Sequence, residues 1–213
     1  IEGTDVSEKL GIIQFYPEIP ANLRGHIKGA FPQFIPKTDE TRVQVLQDVL
    51  SRHKGTQCYI TEKLDGTSVT YFMKDGVFGV CSRNLELLET SDNLYWKMAR
   101  ELDIENKLKT IGENIAIQGE IIGAGLQKNN LKIVGNKVCF FNAFHIGKFV
   151  YLDFYEFFEL MHLLGLEIVP ILSKAYTLDN NIDTLIETSK GTSIFNNKVC
   201  REGIVIRPLT EQF

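Results

Sequence analysis

The amino-acid sequence lacks the features that mark several classes of protein. It has no excess of basic residues, because 23 lysines and arginines stand against 27 acidic residues and the formal net charge is -4. Any polyanion would therefore have to bind at a local patch. No signal-peptide pattern is present, and no apolar run approaches the roughly 20 residues that a membrane-spanning helix needs. We expect a globular protein that works inside the cell, in the cytoplasm or nucleus, and does not bind a membrane.

Cysteine is scarce and poorly placed for disulfides. Cys58, Cys81, Cys139 and Cys200 lie far apart, each within an apolar stretch, and none belongs to a CxxC pair. We therefore expect four reduced thiols. The composition otherwise suits a folded domain, because 44% of the 213 residues are hydrophobic and 10% are aromatic. No pattern specifies an oligomer, and a monomer is favoured.

Proline is nearly confined to the beginning of the chain. Four of the six prolines lie in residues 1–37, a segment without a sustained hydrophobic period. We expect these residues to form an irregular lead-in, followed by one folded unit over residues 38–213.

The remaining sequence predicts a mixture of helices and strands. Helical spacing is found over residues 39–54, 91–108, 151–165 and 180–190, with Asp153 as a cap and Gly165 as a stop in the third. Alternating β-branched and aromatic stretches predict strands over residues 57–64, 68–74, 77–83, 114–123, 137–146 and 198–208. Because strict β-α-β alternation is missing, the predicted fold class is α+β, with antiparallel β-sheets flanked by helices.

The stretch Lys63-Leu64-Asp65-Gly66 follows a predicted strand and carries unusual side chains. A strand period of two places Lys63 and Asp65 on one face and Glu62 on the other, so an amine and a carboxylate project together beside a glycine turn. A second Asp-Gly, at residues 75–76, is explained by a hairpin turn. The Asp65-Gly66 pair could likewise be a hairpin turn, with Lys63 as a solvated charge at the edge of a sheet.

Other stretches add groups of the same kind. Arg83 lies in a Ser-Arg-Asn triplet at the end of a predicted strand, Glu120 interrupts an apolar strand, and Glu202 precedes a glycine. Aromatic rings are clustered at Phe140, Phe141 and Phe144. Each stretch also has a structural explanation as a turn cap, a paired strand carboxylate, an edge strand or core packing.

In this order, the stretches resemble the motifs of the covalent nucleotidyltransferases, and among them the ATP-dependent RNA ligases. The matching segments are KLDG at 63–66, SRN at 82–84, GEIIG at 119–123, the strand with Phe144, and EGIVIRP at 202–208. Gly66 is followed by Thr67-Ser68, whereas DNA ligases and capping enzymes tend to have an arginine two residues after it. The resemblance covers nearly the whole chain and implies a nucleotidyltransferase domain, an ATP-grasp-like ligase domain.

The resemblance implies a reaction cycle that begins at Lys63. A lysine amine can attack the α-phosphate of ATP, expel pyrophosphate and hold AMP as a phosphoramidate. The resemblance implies that AMP then passes to the 5′-phosphate of an RNA strand, and that a 3′-hydroxyl displaces AMP and seals the RNA. RNA with 5′-phosphate and 3′-hydroxyl ends is thus the expected partner, in RNA repair.

The resemblance also implies nucleotide contacts for the other matching residues. Glu120 is expected to hold a ribose hydroxyl, and Arg83 the ribose or the α-phosphate, because its fork of donors suits oxyanions. Phe144 and Val205 are expected to sandwich the adenine. Arg42 is a weaker candidate for contacting pyrophosphate, and a solvated helix face is the alternative for it.

A divalent metal is expected because carboxylates surround the proposed nucleophile. Glu62, Asp65, Glu120 and Glu202 favour the ammonium form of Lys63, which cannot attack a phosphate. Mg²⁺ or Mn²⁺ would oppose the ammonium and neutralise the α-phosphate. We expect Glu202 and Asp65 to hold the metal, mainly through its waters, and Glu62 to help bind the nucleotide.

The spacing of two motif residues predicts an irregular strand near the end of the chain. Glu202 and Val205 differ by three positions, so a regular strand would direct them to opposite faces. We expect a β-bulge at Gly203 to turn both toward the nucleotide.

The resemblance also predicts features at both ends of the chain. Residues 31–44 resemble a subfamily in which a small OB-like domain precedes the transferase domain, so the lead-in is expected to follow such a domain. The final Lys-x-Lys motif of the family is expected shortly after residue 208 and is not among the 213 residues.

Two other functions stay open at this point. One is a nucleotide-binding or RNA-binding relative with impaired catalysis. The other is a capping-type guanylyltransferase, which would use the same lysine chemistry with GTP in place of ATP.

Overall fold

The computed structural model describes residues 10–11, 25–112 and 114–212. Within these ranges the strands are β1 (Ile27–Ala30), β2 (Gln57–Lys63), β3 (Thr67–Lys74), β4 (Val77–Cys81), β5 (Leu85–Leu87), β6 (Ile115–Gly123), β7 (Asn136–His145), β8 (Val150–Tyr151), β9 (Ile171–Thr177) and β10 (Gly203–Pro208). The α-helices are α1 (Gln47–His53), α2 (Leu94–Glu101), α3 (Ile104–Ile111), α4 (Phe154–Leu164) and α5 (Ile182–Ser189). None of the helices in these ranges is long and apolar enough to cross a bilayer.

Seven strands form a large antiparallel sheet in the order β1-β5-β4-β3-β6-β7-β8. The hairpin between β3 and β4 turns at Asp75 and Gly76, whose φ angles are 50° and 78°. Positive φ at both central residues is what a two-residue type I′ turn requires, and Asp-Gly adopts it readily. The antiparallel α+β fold predicted from the sequence is confirmed.

Helices α2, α3 and α4 cover one face of the large sheet. Alternate strand residues such as Tyr71, Ile117 and Phe140 point into this layer and are fully buried. The helices contribute Trp96 and Met161 to the same cluster. Because a strand alternates its faces, the residues between these core positions are directed to the opposite face.

The small sheet has the order β10-β2-β9 and lies on that opposite face. In β10, Val205 pairs with Thr61 and Arg207 pairs with Tyr59. The Arg207 guanidinium donates a hydrogen bond to Asn142 of β7, which links the two sheets directly. The space for a ligand therefore lies between the sheets.

The helices differ from their predicted ranges in two places. The segment predicted as one helix over residues 39–54 contains a 3₁₀ turn at Val43–Val45 and then α1. The segment predicted over residues 91–108 is divided into α2 and α3, because Asp103 has a left-handed φ of 52° and ends the first helix.

Four strands were not predicted. The β1, β5 and β8 strands have only 4, 3 and 2 residues, which is too short for alternation to be visible. The β9 strand is longer, but its pairing with β2 shifts register twice, so its side chains do not alternate regularly.

Part of the expected lead-in belongs to the fold. Residues 27–30 pair with β5 as the edge of the large sheet, and Phe31 and Ile35 are buried against its second face. Residues 27–30 therefore form a strand, which differs from the expected irregular structure, whereas residues 31–37 contain no helix or strand. Residues 1–9 and 12–24 of the lead-in lie outside the described residues.

Phe144 belongs to the same buried cluster as Phe31 and Ile35. It is 2% exposed, and its ring meets Tyr151 edge-on with ring centroids 5.1 Å apart. The side chain is enclosed by core residues, so it contributes to stability.

We expect Phe144→Ala to lower the free energy of unfolding by about 3–5 kcal/mol, because it removes a buried ring and leaves a cavity. Unfolding in urea measures this change. Leu163→Ala is the control, since that side chain is 80% exposed on α4 and its loss should cost less than about 0.5 kcal/mol. Equal effects of the two substitutions would contradict the core position of Phe144.

Candidate active site

A cavity of about 510 Å³ lies between the two sheets. Its walls come from both sheets and from the segment before α1. Among the residues that line it are Asp39, Glu40, Arg42, Tyr59, Thr61, Glu62, Lys63, Gly66, Ser68, Arg83, Glu120, Phe141, Glu202, Val205 and Arg207. The structure thus brings together the groups of KLDG, SRN, GEIIG and EGIVIRP.

Gly66 holds the end of β2 against the large sheet. A Cβ atom at Gly66 would lie 2.1 Å from the carbonyl oxygen of Ile121, so no side chain fits there. The Gly66 amide donates a hydrogen bond of 3.1 Å to Glu120 Oε1. This close approach explains why Lys63 and Glu120 line the same cavity although they belong to different sheets.

Lys63 forms an ion pair with Glu202, and its ammonium donates a hydrogen bond to that carboxylate. The register of β10 with β2 is unbroken from Gly203, opposite Lys63, to Pro208, opposite Cys58. The expected bulge at Gly203 is therefore wrong. Glu202 lies just before the strand, so strand alternation does not restrict the direction of its side chain.

Glu120 is a partly buried carboxyl group with acidic neighbours. Burial is the main cause that raises the pKa of Glu120 from 4.5 to about 7. The Gly66 amide and Lys63 lower the pKa, whereas Glu202 and Asp65 raise it. Glu120 is therefore divided between its protonated and ionised forms near neutral pH, and a cation bound nearby would favour the ionised form.

Phe141 and Tyr59 are aromatic residues that line the cavity. The pairing of β7 with β6 shifts register so that Phe141 is an unpaired residue between Phe140 and Asn142, a β-bulge. Phe141 lines the cavity together with Val205, whereas Phe144 lies in the core. The expectation that Phe144 contacts the nucleotide is therefore wrong, because other core side chains enclose its ring.

Arg83 and Arg42 both line the cavity. Arg83 is ion-paired with Asp39 at 2.5 Å, and both side chains are more than half exposed. An exposed pair of this kind contributes little stability, so Arg83 can exchange Asp39 for an anionic ligand. Arg42 has extended backbone angles and precedes the 3₁₀ turn, so it does not lie on a helix face.

Arg207 lines the cavity and was not predicted from the sequence as a site residue. Its guanidinium donates to Glu40 Oε1 at 2.8 and 3.2 Å and also to Asn142 Oδ1. The side chain is 18% exposed, so these bonds hold it firmly at one end of the cavity. Strand alternation places Gly203, Val205 and Arg207 on one face of β10. This spacing in the sequence could have identified Arg207 as a cavity residue.

A second cavity, of about 220 Å³, lies beside the first and shares Glu62, Lys63 and Glu202 with it. Asp65 lines this second cavity and not the first. Glu62 is 2% exposed, and its Oε2 accepts a hydrogen bond of 2.9 Å from the Ile194 amide. Part of the Glu62 carboxylate therefore anchors the chain at Ile194.

The carboxylates between the two cavities suit a hydrated cation. Among the residues that the structure describes, no group of three or more His, Cys, Asp and Glu side chains is placed to coordinate a metal directly. Asp65 and Glu202 nevertheless both act on Glu120, so three carboxylates lie near one another. Such an arrangement fits a cation like Mg²⁺, which keeps several of its waters when it binds.

Comparison with known proteins places the chain in a family. The model of the family described as RNA ligase matches residues 56–213, which include every motif segment from KLDG to EGIVIRP. The chain belongs to the RNA ligase family. This confirms the resemblance noted from the sequence.

Solved structures of a Naegleria gruberi RNA ligase are similar to this RNA ligase family member. Variants of that ligase with ATP and Mn and with AMP and Mn, and the ligase with PPi, each have a TM-score of 0.87 and 39% sequence identity. Each comparison covers 99% of this chain but only 63% or 64% of the Naegleria chain. The chain thus spans less than two thirds of the length of the ligase that it matches. A comparison with curated proteins found no match.

The raised pKa of Glu120 predicts a pH-dependent stability for this family member. The folded protein binds this proton more tightly than the unfolded chain, so the free energy of unfolding should fall as the pH rises from 4.5 to about 7. Glu120→Gln cannot ionise. The free energy of unfolding of this variant, measured relative to that of the unsubstituted protein, should therefore rise by about 3 kcal/mol between pH 4.5 and pH 8. Each tenfold difference in proton affinity is worth roughly 1.36 kcal/mol.

Thermal or urea unfolding at the two pH values measures this gain, without divalent metal. Glu159→Gln is the matched control, because it makes the same change at an exposed position on α4. A Glu120→Gln effect that is the same at both pH values would show that burial does not raise the pKa of Glu120.

Proposed function

We propose that this chain is the nucleotidyl-transferring part of an ATP-dependent RNA ligase. One observation carries the proposal: the Lys63 amine lies at a nucleotide-sized cavity beside Glu202, within the motif set of an RNA ligase family member. The similar Naegleria ligase has been solved with ATP and Mn and with AMP and Mn, which supports ATP as the substrate here.

In the first reaction, the Lys63 amine attacks the α-phosphorus of ATP. A bond forms between Nζ and phosphorus, the bond from phosphorus to the bridging oxygen breaks, and pyrophosphate leaves with that electron pair. Lys63 must first lose one proton from its ammonium form, which passes to water, and the attacking amine must lose a second proton as the phosphoramidate forms. Glu202 already accepts a hydrogen bond from Lys63, so it is placed to receive this proton.

The nucleotide occupies the 510 Å³ cavity between the sheets. Phe141 and Val205 enclose the adenine, because they line the cavity from the large and the small sheet. Glu120 accepts a hydrogen bond from a ribose hydroxyl. Arg83 leaves Asp39 to bind the ribose or the α-phosphate, and Arg42 contacts the departing pyrophosphate.

Two further transfers complete the proposed reaction. A 5′-phosphate oxygen of RNA attacks the phosphorus of lysyl-AMP, and the Lys63 amine leaves and regains a proton. A 3′-hydroxyl then attacks the RNA 5′-phosphorus, the bond to AMP breaks, and the hydroxyl proton passes to a base or to water. The substrate is therefore RNA with 5′-phosphate and 3′-hydroxyl ends.

A divalent metal, Mg²⁺ or Mn²⁺, fits the carboxylates of this site. Asp65 and Glu202 would hold it, mainly through its waters, and Glu120 lies close to both. When bound, the metal would neutralise charge on the α-phosphate and favour the free amine of the nucleophile.

We infer that the protein works inside the cell and as a monomer. Cys58, Cys81 and Cys139 are buried free thiols and Cys200 is an exposed free thiol, which fits a reducing compartment. One chain supplies every cavity residue named above.

Incubation with ATP and Mg²⁺ or Mn²⁺ is expected to attach AMP to Lys63, and Lys63→Met should abolish the adduct because the nucleophile is lost. Intact mass measures the adduct, and peptide mapping identifies the modified residue. Lys109→Met on α3 is the control and should still form the adduct, because this exposed lysine lies on the helical face of the large sheet. Excess chelator should stop adduct formation.

Other outcomes would contradict the proposal in distinct ways. An AMP adduct on a different lysine would remove Lys63 from its assigned role. Labelling by GTP in place of ATP would favour a capping-type guanylyltransferase. Binding of ATP without any adduct would favour a relative with impaired catalysis.

Phe141→Ala is expected to weaken ATP binding, because stacking of a base on an aromatic ring is worth about 1–3 kcal/mol. Isothermal titration calorimetry with ATP measures the change in Kd. Phe144→Ala is the comparison variant and, while folded, should bind ATP with nearly unchanged affinity. The reverse result would return the stacking assignment to Phe144.

A further inference from the structure

Residues 36–42, here called the strap, run along the nucleotide cavity without forming a helix or a strand. Among the cavity residues, the strap supplies Thr38, Asp39, Glu40 and Arg42. Between residues that the structure describes, no backbone hydrogen bond joins residues 36–41 to the backbone of the rest of the chain. The position of the strap therefore depends on the side chains that bind it.

Two buried amide side chains hold the beginning of the strap. Gln118 Nε2 donates a hydrogen bond of 2.8 Å to the Pro36 carbonyl. Asn142 Nδ2 donates one of 3.4 Å to Gln118 Oε1. Gln118 is 0% exposed and Asn142 is 4% exposed. Burying an amide costs free energy unless it is hydrogen-bonded, so the bonds to the strap and between the two amides are what allow these polar groups inside the fold.

The same series of hydrogen bonds reaches the middle of the strap. Arg207 donates to Asn142 Oδ1 and, at 2.8 and 3.2 Å, to Glu40 Oε1. We call Gln118, Asn142 and Arg207, which belong to β6, β7 and β10, the clasp. The series begins at Pro36 and ends at Glu40, so the clasp fixes the strap at two points and against both sheets.

Two further contacts lie between these points. Thr38 Oγ1 and Ser68 Oγ share a hydrogen bond of 2.6 Å, and Lys37 Nζ donates to Asn84 Oδ1 at 2.9 Å. The Lys37 bond is exposed, so water competes for it. Hydrogen bonds are stronger where water is excluded, so we expect the buried clasp to supply most of the strength of the attachment.

The fixed points restrict the charged residues of the strap. Arg42 follows Glu40 by two residues, so its Cα atom stays within about 7.6 Å of the Glu40 Cα atom. Asp39 directly precedes Glu40 and pairs with Arg83. A strap that moved away from the clasp would carry Arg42 out of the cavity, where it is assigned to the departing pyrophosphate.

We propose that Gln118 and Asn142 are positioning residues for the triphosphate of ATP. Neither residue lines the nucleotide cavity. They act through Arg207 and the strap, which present Arg42 to the β- and γ-phosphates. AMP lacks these two phosphates, so the clasp should matter for the binding of ATP and not for that of AMP. This inference rests on the proposed function as an ATP-dependent RNA ligase.

The attachment of the strap is tested with Gln118→Met, which replaces the amide by an apolar side chain of similar size. Limited digestion with trypsin, followed by mass spectrometry, measures cleavage after Lys37 and Arg42, the strap residues at which trypsin cuts. We expect this cleavage to become at least roughly 5-fold faster, because proteolysis follows local opening. Cleavage after Lys109 in α3 should not change, which would show that the rest of the fold is intact.

Thr70→Val is the matched control. Thr70 pairs with Gln118 across β3 and β6, is 1% exposed, and its hydroxyl has no hydrogen-bond partner among the described residues. The substitution thus removes a buried polar group from the same row of the sheet without removing a bond to the strap. Equal cleavage of the strap in the two variants would overturn the clasp.

The positioning role is tested by isothermal titration calorimetry in Mg²⁺ with two ligands. One is AMP, and the other is ATP with a methylene bridge between the α- and β-phosphorus, which cannot release pyrophosphate. We expect Gln118→Met to raise the Kd of the ATP analogue roughly 10-fold, as the loss of a charge-assisted contact does, and to change the Kd of AMP less than roughly 2-fold. Asn142→Leu, which breaks the same series of bonds, should have the same effect.

Thr70→Val should change neither Kd. An equal rise for both nucleotides in the Gln118 and Asn142 variants would reflect a general loss of structure and would overturn the positioning role.

A double-mutant cycle identifies the residue through which the clasp acts. In the Arg42→Ala protein, Gln118→Met should change the Kd of the ATP analogue less than roughly 2-fold, because both substitutions remove the same contact and their effects are not additive. A further rise of roughly 10-fold in that background would exclude Arg42 as the intermediary and overturn the inference.

The behaviour of the unsubstituted protein separates this inference from the proposed function. If it forms no AMP adduct and binds neither nucleotide, the ligase proposal fails, and the positioning role fails with it. If it forms the adduct and binds the ATP analogue more tightly than AMP, but Gln118→Met leaves that preference unchanged, the ligase proposal stands and the positioning role alone is wrong.

Discussion

The pairing of β2 with β10 is the interaction on which the candidate active site depends. It places Gly203 opposite Lys63, so Glu202 meets the Lys63 amine although 139 residues separate them in sequence. The same register faces Val205 and Arg207 toward the large sheet. Gly66 completes the arrangement, because the lack of a side chain allows β2 to end directly against β6. A shift of β10 by one residue in this pairing would turn the cavity-facing side chains of that strand outward.

Electrostatics give this site its chemical character. One lysine is surrounded by carboxylates, and burial leaves Glu120 only partly ionised near neutral pH. Negative charge gathered in this way is unfavourable until a cation shares the site. The exposed pair of Arg83 with Asp39 contributes little stability, so Asp39 could be exchanged for an anionic ligand. The proposed site therefore suits an anionic nucleotide together with a metal.

Much of the fold follows from local patterns. Long alternating strands, the Asp75-Gly76 hairpin and the capped helix α4 were all predicted, because each depends on neighbouring residues. The short strands β1, β5 and β8 were not, since a few residues carry no period and pairing with a distant strand stabilises them. The break at Asp103 also escaped prediction, because a left-handed aspartate looks the same in sequence as a helical one.

The sequence by itself determined which side chains are the candidates for the chemistry: Lys63, Glu120 and Glu202 are in short motifs whose residue types already specify an amine among carboxylates. Only the tertiary structure decided which residues face the ligand. An unpaired residue in β7 directs Phe141 into the cavity and leaves Phe144 in the core. Strand alternation is local, but a bulge and the register between distant strands depend on the packing of the whole sheet, and one extra residue reverses every face beyond it.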